Sequence, residues 1–549
     1  MISRRNLVCG GFTATVISTL MACTPQTEDV ISEGQDDTPR SGGTLRFYIN
    51  NPISIDPYTV QESSGYQVAI SLFDTLVEYD WETKKLVGKA AESWEANDDA
   101  TEFVFRLVEG ATFHNGEPVT AMSFKRAWER ICNPTMRPVS AIAYHLKPVL
   151  GCIQMLDGSA TELSGVETPD DLTLRVTLAH PMADFPFICA HPALAPVPEA
   201  ALDNPQGFTM APIGNGPFQM DGEWVPSQHI RLRRYEDYHG AQPTLDGVDF
   251  VILPNPAQAF SEFEEGHVDF VPIAAGRFGE LSLNYGLAED GYTVTPGQQV
   301  LTGPECSAYY LAVNCKDKVM QDVDVRRAIS LAIDRQRICD TIFGGTYLPA
   351  DRIIPPSIDD DSSSGWEYCR YDLETAQALL DNAHPKRNDG MRDLQLGLLF
   401  NSGGGHEDIM AFVAEDLQKI GIEVRQSSIE WEAFLDAAKS GHYQLIRYGW
   451  VADYPTIDNF LYPLFFSTST DNLSNYDNPD VDAALLSARG VVDEDGRAKA
   501  YLEVSKRIGD DLPVIPILFA SHNHVGSSRV SRLFFDPQER AHFVDVELD

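Results

Sequence analysis

Residues 103–121 read F-V-F-R-L-V-E-G-A-T-F-H-N-G-E-P-V-T-A, and three local structures follow from that order. Phe103, Phe105 and Leu107 alternate with Val104 and Arg106, the period of a strand. Asn115-Gly116 is a pair that favours a tight turn, and His114 beside it is expected to be solvated. Thr120-Ala121 opens a helix that places Phe124, Ala127, Trp128 and Ile131 on one face. Working outward, Gly43–Ile49 has β character and Tyr66–Leu76 carries apolar residues at helical spacing. Val325, Ala328, Ile329, Ala332 and Ile333 form a second helical stripe, with arginines opposite and Asp324 as its expected cap. Strand-like and helical segments thus both occur along the chain.

The chain has 549 residues, and a prior of roughly 150 residues per domain gives it two to four domains. Lys plus Arg total 41 against 81 Asp plus Glu, a net charge of −40. Nothing in that balance would neutralise phosphates, so a nucleic-acid partner is excluded. Arg4 and Arg5 precede an uncharged run, Leu7 to Ala22, shorter than the ~20 residues that span a bilayer, so residues 1–22 read as an export signal. Leu20-Met21-Ala22-Cys23 resembles a lipobox, which implies lipid on Cys23 as the membrane anchor and a flexible tether over 23–42. Ser3-Arg4-Arg5 also fits part of a twin-arginine signal, leaving the export route open. Beyond Cys9 and Cys23, the remaining cysteines form no C-x-x-C pair or zinc spacing. Cys306 and Cys315 flank a strand-like run that would hold them roughly 30 Å apart, so no bond is expected between them.

Residues 103–121, together with Ser93-Trp94-Glu95, closely resemble the signature region of the extracytoplasmic solute receptors of peptide ABC transporters, the oligopeptide- and dipeptide-binding protein family. Other blocks keep the family's order: Pro212-Ile213-Gly214-Asn215-Gly216-Pro217-Phe218, Leu232–Tyr238, Val325–Arg335, Tyr371–Leu380, Ile420–Val424 and Leu512–Ile517. The resemblance covers nearly the whole mature chain. It implies an α/β, two-lobed periplasmic-binding-protein (Venus-flytrap) fold, type II-like, closing over a cleft. The first lobe is expected over 43–305 and 521–549, with an inserted subdomain at about 74–197, and the second over 306–520.

Arg447-Tyr448-Gly449-Trp450-Val451-Ala452-Asp453-Tyr454-Pro455 gathers an extendable backbone, a flat apolar wall and a carboxylate. From the residues alone, Asp453 either takes the α-ammonium of a peptide or caps the turn at Pro455, and Trp450 either lines a cleft or is core. The resemblance assigns Asp453 to the α-ammonium. It assigns Gly449, Trp450 and Val451 to backbone pairing with the peptide, and Val60, Gln61, Glu62 and Ser63 to an opposing first-lobe strand. Arg447 and His406 match positions meeting the peptide carboxylate, and Trp431 matches a pocket-lining tryptophan. Val451 stands where enteric oligopeptide receptors can carry a cysteine, so their local disulfide is absent here.

No catalytic constellation appears. His406-Glu407 has Met410 where a zinc site needs histidine, the glycines at 403–405 lack a Lys-Ser/Thr ending, and Asp359–Asp361 lacks EF-hand spacing. Neither a metal nor a cofactor is expected. The reading is therefore a monomeric, lipid-anchored receptor in the cell envelope that hands peptides to an ABC permease and its ATPase. Alternatives are the same fold binding a nickel chelate, haem, an opine or a sugar, or an envelope peptidase or chaperone.

Overall fold

The computed structural model describes residues 42–549 except Ala275. The export signal, Cys23 and the tether up to residue 41 lie outside the described residues. The strand Glu102–Leu107 buries Phe103, Phe105 and Leu107. Gly116 turns at φ +83°, and its N–H donates to Phe113 O at 2.8 Å. The helix Ala121–Cys132 follows, and Phe124, Ala127, Trp128 and Ile131 are all buried.

His114 differs from expectation. Its Nδ1 accepts from Gly214 N at 3.1 Å, which leaves Nε2–H to donate to Gly216 O at 3.1 Å. Burial lowers its pKa to about 4, so it is a neutral structural residue. The turn at 214–216 in turn closes the helix Ser63–Leu72: Gly216 N donates to Leu72 O at 2.9 Å. Any side chain at Gly214 would collide with that same carbonyl. Asn215, fully buried, pairs with both backbone groups of Asp74 at 3.0 and 3.2 Å. Two of the blocks that carry the resemblance are thus two halves of one joint.

Five sheets organise the described residues. Thr44–Ile49 lies within a seven-stranded sheet ordered Val300–Pro304, Ser521–Gly526, Phe270–Pro272, Thr44–Ile49, Gly247–Ile252, His229–Arg234, Phe218–Met220. A six-stranded sheet is ordered Leu348–Pro349, Val514–Phe519, Ser307–Val313, Leu445–Val451, Gln395–Asn401, Glu423–Ile429. The chain passes between these sheets at 304–307 and at 519–521, and Glu305 N donates to Ala520 O at 2.9 Å, so the crossings lie side by side. Between the strands of the first sheet runs a four-stranded sheet built from residues 91–177.

Both faces of the six-stranded sheet are covered. Tyr310 and Ile446 point into one core, with the helices Ile457–Phe465, Pro479–Arg489 and Glu494–Asp511. Leu311 and Leu445 point into the other, with Val323–Ala332 and His406–Lys419. Burial on both sides explains why Val514–Phe519 is apolar throughout instead of alternating. The stripe Val325, Ala328, Ile329, Ala332, Ile333 is fully buried as read. Its cap, however, is Asp322, whose Oδ1 accepts from Asp324 N at 3.0 Å, and Arg326 is buried against the carbonyls of Met320 and Asp511. No helix of the described residues is long and apolar enough to cross a membrane.

Candidate functional site

Leu445–Val451 is paired with Ser307–Val313 along its full length, Leu445 to Val451. Its other edge is different: it pairs with Gln395–Asn401 only through Leu445 and Ile446. Past Ile446 this pairing stops, while the neighbouring strand is paired with Glu423–Ile429 throughout, so Arg447–Val451 presents backbone donors and acceptors along an edge no other strand of the sheet fills. Such an edge accepts an extended chain as an added strand.

Asp453 follows that edge. Its Oδ1 accepts from the Tyr144 hydroxyl at 3.1 Å, a contact spanning the two lobes, and Oδ2 has no partner among the described residues. The following helix Ile457–Phe465 is preceded by Thr456, and the geometric hydrogen bond of the Asp453 carboxylate runs to Tyr144 and not to the backbone of that turn. Asn459 holds the local geometry, its Oδ1 accepting from Trp450 Nε1 at 2.9 Å and from Asp453 N at 3.3 Å. Gln538 Nε2 donates to Ala452 O at 3.0 Å. Burial raises the Asp453 pKa to about 6; the Tyr144 hydroxyl and Arg540 oppose the rise, and Asp471 adds to it. Two cavities, of about 530 and 360 Å³, adjoin this carboxyl. Tyr66, His191 and Arg540 face it across the larger, and Tyr144, Lys147 and Ile188 across the smaller.

A second group stands at the opposite end of the free edge, about 13 Å away along the strand at ~3.3 Å per residue. Arg447 lies over the Tyr309 ring at 4.6 Å and donates to Asn401 Oδ1 at 3.1 Å, while its Nε is buried without a partner. His406 Nδ1 stands 3.2 Å from the Tyr309 hydroxyl. Burial, reinforced by the Arg447 charge, lowers the His406 pKa to about 4, so it is a neutral imidazole here. Tyr309 faces this group and Tyr310 the core.

Trp431, half exposed, stacks on Phe434 at 5.6 Å, which stacks on Tyr448 at 6.1 Å. It therefore belongs to the Trp450 face of the strand, opposite Arg447. Trp450 is half-buried and Val451 is 69% exposed.

The opposing first-lobe strand is absent. Val60 ends a 3-10 turn, Ser63 begins the helix Ser63–Leu72, and Glu62 is its cap, its carboxylate accepting from Ser64 N at 2.8 Å and Gly65 N at 2.7 Å. A serine pair and glycine after an acid favour a capped helix over an extended ladder. Gln61 and Ser63 are exposed and remain within the same short segment. Sequence reasoning missed Tyr144, Gln538 and Arg540, which reach Asp453 from remote parts of the chain and carry no local pattern. Asn459 was within reach, lying six positions past Asp453. The trio Glu262, Glu265 and His267 brings ligand-type atoms within 4.8 Å of one another, but His267 already pairs with Glu262 at 2.8 Å on the exposed surface.

Two α/β lobes joined by paired crossings, with cavities where they meet, define a solute receptor of the two-lobed binding-protein class. A family model describing bacterial extracellular solute-binding proteins, family 5 (middle region), matches residues 85–472, and the chain belongs to that family. Its members are solute-binding proteins and not enzymes. The chain is 29% identical to the probable deoxycholate-binding periplasmic protein YgiS of Escherichia coli K12, over 88% of this chain and 89% of that one. It is 26% identical to the periplasmic oligopeptide-binding protein OppA of the same organism, over 94% and 93%. Among solved structures, the unliganded open form of the murein tripeptide-binding protein MppA matches with a TM-score of 0.80 at 25% identity, covering 93% of this chain and 97% of that one.

Proposed function

We propose that this protein is a lipid-anchored receptor that captures oligopeptides between its lobes and delivers them to an ABC permease and its ATPase. The observation that carries the reading is the placement of Asp453 at one end of a free strand edge and Arg447 toward the other. A peptide is the ligand whose chemistry fits that order: an ammonium for the carboxyl, a backbone for the edge, a carboxylate for the guanidinium. Gly449 and Val451 contribute backbone, Trp450 and Trp431 apolar walls, and His406 a neutral donor beside Arg447. Gln61, Glu62 and Ser63 bound the first-lobe side as a helix entrance. Cys23 carries the lipid, and the exported monomer works at the outer face of the membrane. The first lobe spans 43–305 and 521–549, with its insertion at about 74–197, and the second spans 306–520.

Calorimetry tests this with a mixed pool of tri- to hexapeptides. N-acetylation should weaken binding at least tenfold, since removing one partner of a desolvated pair costs about 2–5 kcal/mol. C-terminal amidation should also weaken it, and much less so in Arg447→Ala. Equal affinity for free and N-acetylated peptides would refute the ammonium assignment. Binding of deoxycholate, haem, an opine, a sugar or a nickel chelate in place of peptides would refute the ligand class.

A further inference from the structure

Two cysteines that the cleft does not use stand against each other. Cys132 ends the helix Ala121–Cys132 and Cys152 begins Cys152–Leu156, with Sγ atoms 3.3 Å apart and both residues fully buried. They lie 20 positions apart in the chain. Among the described residues the other cysteines meet different partners where they meet any: Cys306 faces Ser357 Oγ at 3.5 Å and Cys369 faces Ser330 Oγ at 3.8 Å.

We propose that Cys132 and Cys152 are joined by a disulfide in the exported protein, stapling the intervening segment to the helix that precedes it. The segment matters because it carries Tyr144, the residue that donates to Asp453. Reaching the bonded S–S separation of about 2 Å asks the sulfurs to approach by roughly 1.3 Å, within the freedom of two side-chain torsions. The thiolate of one cysteine displaces one sulfur of a protein dithiol oxidant in its disulfide form, and the thiolate of the other then resolves the mixed disulfide. Two protons and two electrons leave the pair, and the oxidant departs as a dithiol. Because both sulfurs end buried, the bond forms while the chain is still folding. The inference is independent of what the cleft binds.

Thiol trapping of the full exported protein, denatured with an alkylating agent and no reductant and then mapped by mass spectrometry, reads the state directly. The expected result is one linked pair of peptides containing Cys132 and Cys152, with Cys189, Cys306, Cys315, Cys339 and Cys369 alkylated. Alkylation of both would overturn the proposal. Wild type refolded under reductant, and the double variant Cys132→Ser/Cys152→Ser, should each melt about 3–6 °C below the oxidised protein. Equal melting temperatures for oxidised and reduced wild type would overturn the stapling role.

Discussion

At Asp453 burial has already shifted the carboxyl to a pKa of about 6 before any ligand arrives. A ligand ammonium binds the ionised form, so below about pH 6 a proton must leave as the ligand enters. A peptide α-ammonium keeps its charge up to pH ~7.5. Affinity should therefore be flat from pH 7 to 6.5 and fall below 6 by up to about tenfold per pH unit. Asp453→Asn should abolish this dependence and weaken binding at pH 7 by at least an order of magnitude, as calorimetry at pH 5, 6 and 7 would show. The same shift has the opposite sign for the empty fold. The native state binds more protons than the unfolded one between pH 4 and 6, so the contribution of Asp453 to stability declines as pH rises through that window. Asp453→Asn should thus melt no lower than wild type at pH 8, which separates lost capture from lost folding.

The helix Ser63–Leu72 shows what an element does with residues that a pattern assigns elsewhere. Glu62 holds Ser64 N and Gly65 N, and a Cβ at position 65 would strike the Ser54 carbonyl, so acid and glycine are selected together by the helix start. Glu62→Ala should cost about 1 kcal/mol of stability through the lost cap, read as a lower denaturation midpoint, with peptide affinity unchanged. A large loss of affinity at unchanged stability would restore the ligand-facing role. Elements with strong periodicity were legible in the chain: the buried stripe of Ala121–Cys132, the turn at Gly116 and the paired strand Ser307–Val313 all follow local rules. The free edge of Arg447–Val451 was legible only in its residues, because whether a strand is paired depends on where Gln395–Asn401 diverges. The Tyr144–Asp453 bond, 309 positions apart, is set by tertiary packing alone. The same holds for the thiol pair, since spacing carries no trace of two helix ends meeting.

Across the whole molecule the lobes meet at a second place besides the cleft. Asp184, from the chain following the four-stranded sheet, accepts from Arg497 Nε at 2.9 Å, and both are buried. Tyr501 donates to Asp458 at 2.9 Å and stands 3.2 Å from Asp184, and Arg489 lies 3.3 Å from Asp458. Burial raises Asp184 to about 6 even with Arg497 opposing it. Without the guanidinium the carboxyl would be driven further up and would have to take a proton at neutral pH. Arg497→Met should therefore be strongly destabilised at pH 8, by about 3–5 kcal/mol, and much less at pH 5. Thermal melts at the two values check it; an equal deficit at both would remove Asp184 as the cause.

The strand Ser521–Gly526 lies inside the seven-stranded sheet, between Val300–Pro304 and Phe270–Pro272. A chain emerging amino-terminus first therefore carries a vacant slot in its first sheet until residue 526 has followed. Residues 307–519 contain every strand of the six-stranded sheet and can complete it sooner. Assembly thus inverts the order of synthesis: the sheet that starts later finishes earlier, and a strand made after it seals the sheet that began the chain.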